Sequence, residues 1–146
     1  MHDLDARLAA IEDREKIREA AAAYSQNIVA GEAFRNAELF TDDGVFHIDS
    51  IRLRVEGKAS LAALFGRMRP GTSFPFIHGH MIQLAGDEAT HTCTMENRGG
   101  DEGESGYGGI YLDRLRRVAG RWLFVDRGFT FHKGQPPPIA PIDTDR

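Results

Sequence analysis

The chain has 146 residues, 41% hydrophobic and 27% charged, with a formal net charge of −4. That length suits one domain whose core is large enough to stand without cross-links, and the acidic balance argues against a broad nucleic-acid-binding surface. Cys93 is the single cysteine, which excludes an intrachain disulfide and points to a reducing compartment.

No run of about 18 apolar residues is present, so no membrane-spanning helix is expected. The opening MHDLDARLAAIEDREKI is charged and amphipathic and lacks a signal-type apolar run, so a cytoplasmic protein is expected. Leu4, Leu8 and Ile11, then Ile17, Ala20, Ala21, Tyr24 and Ile28, recur at helical spacing. Asp3 and Asp13 are plausible N-caps, which predicts a short helix followed by a longer one ending at Ala30-Gly31. Residues 32–40 read as a third short helix with Phe34, Ala37 and Phe40 on one face.

The pattern then changes. Residues 45–50 and 51–55 predict a short hairpin, and 58–69 an amphipathic helix closed by Pro70-Gly71. Residues 73–84, 88–97, 107–117 and 121–132 predict four long antiparallel strands. Gly86-Asp87 and Ala119-Gly120 supply the tight turns. The glycine-rich stretch 98–109 contains Asp101, Glu102 and Glu104, which oppose phosphate binding, so it reads as a flexible hairpin loop. The domain is expected to span residues 1–133, with 134–146 a proline-rich extended or disordered tail. Helices followed by a long meander predict an α+β fold with helices packed on one face of the sheet.

Alternation along the strands nominates the chemistry. In residues 88–97, Ala89, His91, Cys93 and Met95 share one face, and the threonines and Glu96 the other. In residues 73–84, unbroken alternation puts Phe74, Phe76, His78, His80, Ile82 and Leu84 on one face. Two histidines on an apolar face read either as core histidines bonded to backbone or as general bases near neutral pH. A metal reading lacks a further ligand apart from Cys93 one strand over, so no metal and no cofactor are expected. His91 either lines the same face or fills space. Tyr24, on the apolar stripe of the helix, is a packing residue or a donor to a developing oxyanion. Tyr107 and Tyr111 share a strand face, and Arg127 points either inward or to solvent. Asp49, Asp113 and Asp126 are the acids whose distance to His78 or His80 matters.

The ordered segments IEDREKIREAAAAY, AELFTDDGVF, VEGKASLAALF, FPFIHGHMIQLAGDEATHTCTMEN and GIYLDRLRRVAGRWLFVDRGF resemble the SnoaL-like branch of the nuclear-transport-factor-2-like superfamily, over about residues 4–131. The relatives include polyketide cyclases, scytalone dehydratase, bile-acid dehydratase, hexachlorocyclohexane dehydrochlorinase, ketosteroid isomerase and the β subunits of ring-hydroxylating dioxygenases. The resemblance implies a cone-shaped curved sheet enclosing one apolar pocket, and a homodimer or homotrimer. Its lyases use a strand histidine, which falls on His78 or His80, and a pocket tyrosine, which matches Tyr24. The aspartate that orients the histidine falls on Val29, so it does not carry over. The isomerase base falls near Ile48 and does not match either.

Three functions are therefore open. One is a cofactor-independent lyase or isomerase acting on a small apolar or aromatic cyclic molecule, with His80 or His78 as base, Tyr24 as donor, and Val29, Phe46, Phe65, Phe76, Met95, Tyr111, Phe124 and Arg127 around the ligand. The second is a noncatalytic binding module with the same pocket. The third is an assembly subunit resembling the dioxygenase β chains. Neither nucleic acid nor membrane is an expected partner.

Overall fold

The computed structural model describes residues 2–99 and 106–134. Of the loop expected at 98–109, residues 100–105 lie outside the described residues, and so does the tail expected at 134–146 beyond Gly134; residues 98–99 and 107–109 belong to strands.

The N-terminal segment forms one continuous helix, α1 (His2–Val29), not two. Asp13 does not start a new helix. It sits mid-helix, where its carboxylate accepts hydrogen bonds from Trp122 Nε1 at 2.9 Å and Arg117 Nη1 at 2.9 Å. A tertiary partner thus replaces the local capping role. The first three turns are exposed, including Leu4, Leu8 and Ile11, and burial begins at Ile17. Gly31 ends the helix at φ +75°, with Gly31 N–H donating to Ile28 O and Glu32 N–H to Asn27 O. This pair of bonds satisfies carbonyls that the last turn would leave free. A 3-10 segment, Ala33–Leu39, follows. Its buried residues are Ala33, Asn36 and Ala37, while Phe34 is exposed and Phe40 already belongs to a strand.

Strands β1 (Phe40–Ile48) and β2 (Leu53–Glu56) form the expected hairpin around a 3-10 turn, Asp49–Ile51. Helix α2 (Lys58–Gly66) buries Leu61 and Phe65. The meander follows as β3 (Ser73–Ala85), β4 (Glu88–Gly99), β5 (Tyr107–Val118) and β6 (Arg121–Lys133). The sheet order is β2-β1-β6-β5-β4-β3. All pairings are antiparallel except β1 with β6, which is parallel. The sheet is curved and unclosed. Helix α1 lies against β3 and β6 and buries Ile17, Ala21, Tyr24, Ser25 and Ile28, so the α+β architecture is as expected. Among the described residues no helix is long and apolar enough to cross a membrane.

One irregularity governs the site. His78 pairs with Thr94 and Met81 with Thr92, so Gly79 and His80 together oppose Cys93. This is a β-bulge with glycine at φ +68° as its first residue. The extra residue reverses the inward and outward assignment along β3. Before the bulge Pro75 and Ile77 turn inward and Phe74, Phe76 and His78 outward; after it His80, Ile82 and Leu84 turn inward and Met81 outward. The expectation of one face for Phe74 through Leu84 is therefore corrected: His78 and His80 lie on opposite faces.

Replacing Gly79 by alanine tests this hinge. A Cβ there meets nothing nearer than Thr94 Oγ1 at 3.5 Å, so the penalty is conformational. Gly79→Ala should lower the urea unfolding free energy by about 1 kcal/mol. A neutral result would mean that the left-handed backbone is not required.

Candidate active site

Three directly opposed residues on neighbouring strands build the site. His91 on β4 pairs with Asp113 on β5, and Asp113 pairs with Arg127 on β6. Alternation turns all three inward, where each is buried, and opposed side chains on one sheet face are within contact range. Asp113 Oδ2 accepts from His91 Nδ1 at 2.8 Å and from Arg127 Nη1 at 2.9 Å. The bulge on β3 then brings His80 to the row: its Nδ1 lies 2.9 Å from His91 Nε2, with the two rings stacked. A continuous chain results, from half-buried His80 through His91 to Asp113 and Arg127.

Burial and partners set the charges. Arg127 is fully enclosed, its guanidinium carbon 3.6 Å from the ring centre of Tyr111, 4.3 Å from Tyr24 and 4.6 Å from Phe124. Burial pulls its pKa down, but Asp113 and the two tyrosines more than compensate, and the net shift is upward. Its Nε and Nη2 have no hydrogen-bond acceptor among the described residues; the aromatic faces take that place. Burial raises the Tyr24 phenol well above its usual range and pushes Tyr111 up to about 12. Burial likewise pushes the Cys93 thiol up to about 11. Both phenols and the thiol are therefore protonated at neutral pH.

Protonation of the two imidazoles follows from the chain. A carboxylate only accepts, so His91 Nδ1 carries a proton. Arg127 already balances Asp113, and a second buried cation would stand uncompensated; His91 is therefore neutral and its Nε2 accepts. His80 Nδ1 must then be the donor, which leaves the lone pair on His80 Nε2. Burial above all, and then the nearby cations Arg18 and Arg127, lower the His80 pKa, so the ring is a neutral base rather than a cation.

The other nominated residues divide by face. Tyr24, Phe46, Phe65, Met95, Tyr111 and Phe124 belong to one buried cluster. Tyr24 packs edge-on against Phe65 at 5.7 Å and Tyr111 at 5.8 Å. Three nominated residues stand elsewhere. His78 and Phe76 are on the outer face, with the Arg98 guanidinium 4.8 Å over the Phe76 ring, because the bulge reverses that half of β3. Val29 is exposed at the end of α1, since the helix terminates there and turns its buried stripe through Ser25 and Ile28. In the sequence, strand alternation marks His91 only as a lining or space-filling residue and Asp113 only as one of three acids. A charged residue between Tyr111 and Leu115 on an inward face was the available signal.

A second histidine cluster lies at the β1–β6 border. His47 Nδ1 is 2.8 Å from Asp49 Oδ1 and Nε2 is 2.9 Å from Asp126 Oδ1. Its ring lies over Gly128, where an added Cβ would come within 2.6 Å of Nε2. Burial pulls the His47 pKa down, but the two aspartates outweigh it and the net shift is upward.

The SnoaL-like domain family model matches residues 9–128, and the chain belongs to this family. No curated protein matches the chain. Among solved structures, an NTF2-like protein with a cystatin-like fold from Novosphingobium aromaticivorans is 25% identical, with a TM-score of 0.74 and 92% of each chain covered. A proposed scytalone dehydratase from the same organism is 16% identical, with a TM-score of 0.74 and full coverage of both chains. A hexachlorocyclohexane dehydrochlorinase from Novosphingobium barchaimii is 15% identical, with a TM-score of 0.74, covering 90% of this chain and 99% of that one. The last two likenesses concern the fold.

Two measurements probe these clusters. Asp113→Ala strands a buried guanidinium and should lower the unfolding free energy by about 3–5 kcal/mol, with partial recovery in the Asp113→Ala/Arg127→Leu double variant. A loss below about 1 kcal/mol would contradict a buried ion pair. For His47 the folded-state pKa is raised, so its contribution is full below the ordinary value of 6.5 and fades as pH rises through the folded value. The stability difference between wild type and His47→Gln should shrink from acidic to alkaline pH; a difference that grows would contradict the assignment.

Proposed function

We propose that this chain is a cofactor-independent lyase or isomerase in which His80 removes a proton from a small, mostly apolar cyclic molecule. The observation that carries the reading is the hydrogen-bond chain from His80 through His91 to Asp113. Its polarity leaves Nε2 of a half-buried imidazole as the accepting atom. As Nε2 takes a proton, the ring becomes a cation whose Nδ1–H still donates to His91 Nε2, and Asp113 holds His91 in the tautomer that accepts it. The base is thus oriented and supported without a helix aspartate, which the exposed Val29 does not supply.

Tyr24, protonated and set against Arg127, is the donor for an oxygen that gains charge or departs. Phe46, Phe65, Met95, Tyr111 and Phe124 supply the apolar surface for a ring system, and would exclude water from it. The outward positions of His78, Phe76 and Val29 remove them from this proposal. The dehydratase and dehydrochlorinase among the structural neighbours fit a lyase reaction class but do not select a substrate.

Two further observations favour alternative readings. Val29 in place of the family acid favours a noncatalytic binding module, whose ligand would be returned chemically unchanged. The outer sheet face exposes Met81 at 70% and Leu112 at 63%, together with Phe74 and Phe76, which fits self-association through that face.

The deciding experiment screens cyclic compounds bearing an acidic C–H for elimination, isomerisation or exchange with deuterated solvent. Wild type should accelerate one of them. His80→Ala should abolish the acceleration, and Asp113→Asn should reduce it by up to about 10⁴-fold, the loss seen when a histidine base loses its carboxylate elsewhere. Unchanged turnover in His80→Ala would reject this base; a bound ligand recovered intact would favour the binding module.

A further inference from the structure

His80, His91 and Cys93 also converge. Their ligand atoms, one imidazole nitrogen from each histidine and the thiol sulfur, all lie within 4.8 Å of one another. The bulge sets His80 opposite Cys93, and β4 alternation puts His91 and Cys93 on the same buried face. His91 presents Nε2 to this point because Asp113 holds Nδ1 at 2.8 Å. A carboxylate on the far nitrogen is the arrangement that fixes the tautomer and raises the basicity of metal-bound histidines.

We propose that His80 Nδ1, His91 Nε2 and Cys93 Sγ form a site for a thiophilic divalent cation of the zinc class. Two imidazoles and a thiolate suit a borderline-soft ion, and three protein ligands leave a fourth position open. Two nitrogens on one tetrahedral zinc stand roughly 3.3 Å apart given zinc–nitrogen bonds of about 2.0–2.1 Å, whereas these stand at 2.9 Å. The rings therefore part by a few tenths of an ångström. His80 is the member with room to shift, being half-buried at the bulge of an edge strand, whereas His91 is fully buried. Arg127 lies beside Cys93 and opposes an incoming cation; the thiolate formed on binding and the Asp113 carboxylate offset that charge.

The cation displaces the thiol proton of Cys93 to solvent. It takes the lone pair of His80 Nδ1, whose proton passes to Nε2, so that ring stays neutral. His91 keeps its proton on Nδ1. A bound cation thereby leaves a proton on the one atom, Nε2, that the lyase reading needs bare, and it inhibits turnover. The inhibitory consequence rests on that reading; the binding site does not.

The test uses the full chain, freed of metal by a chelator and titrated with cobalt(II) alone. Cys93 is the chain's single cysteine, so any thiolate-to-cobalt charge-transfer band reports this position. One equivalent should produce that band with intense four-coordinate visible absorption, and zinc(II) should bleach both. Cys93→Ser should abolish the band. Asp113→Asn should weaken cobalt affinity by about 10- to 100-fold. His80→Ala changes only a half-buried ring and serves where the other variants fold poorly by circular dichroism; it should weaken affinity by at least a similar factor. No charge-transfer band at stoichiometric cobalt, or a band undiminished in His80→Ala, overturns the site. If cobalt binds as expected but turnover is indifferent to His80→Ala, the lyase reading fails and the cation site stands.

Discussion

A carboxylate buried between an imidazole and a guanidinium organises the inner face of this sheet. Asp113 lies away from water with Oδ2 shared by His91 and Arg127. Enclosing such charges is expensive, and their attraction compensates only when geometry and hydrogen bonds are good. Here three strands supply the members from directly opposed positions, so the backbone ladder itself sets the spacing. The aromatic rings around Arg127 add a second source of compensation, their negative faces accommodating the cation where acceptors are lacking. Removing any member leaves another stranded, and that interdependence ties the register of β4, β5 and β6 to the electrostatics of the site.

The same row explains how a histidine on β3 acquires an acid without one on the helix. The resemblance seen in the sequence implies a carboxylate at the end of α1, where this chain has Val29. In this chain the carboxylate stands on β5, one strand beyond His91, and reaches His80 through the intervening imidazole. The relay has a definite polarity because its far end is acceptor-only. That polarity leaves the lone pair of His80 on Nε2, the nitrogen turned away from His91.

The two faces of the sheet behave differently. The inner face carries the charged row and the aromatic cluster. The outer face carries Phe74, Phe76, Met81, Ile110 and Leu112 exposed to solvent. Helix α1 adds Leu4, Leu8 and Ile11, exposed at helical spacing along turns that extend beyond the buried part of the helix. An unbroken alternation in β3 would have placed Phe74 and Phe76 inside. The bulge moves them out, so one glycine both delivers His80 to the site and enlarges the apolar outer surface.

The sequence by itself determined the order of elements, the four long strands to within a residue or two, the end of α1 at Gly31, and the inward face of β4 with His91, Cys93 and Met95. These are local properties: helical and strand periodicity and turn chemistry act over a few residues. A glycine inside the β3 pattern was a legible sign of a bulge, but the direction of every residue beyond it depends on pairing with β4. The continuity of α1 through Asp13 was decided by Arg117 and Trp122, which lie more than a hundred residues away in the chain. The partnership of His91, Asp113 and Arg127, and the separation of His78 from His80, were likewise decided by tertiary structure. Register between strands is a contact between distant segments, and no periodicity within one strand encodes it.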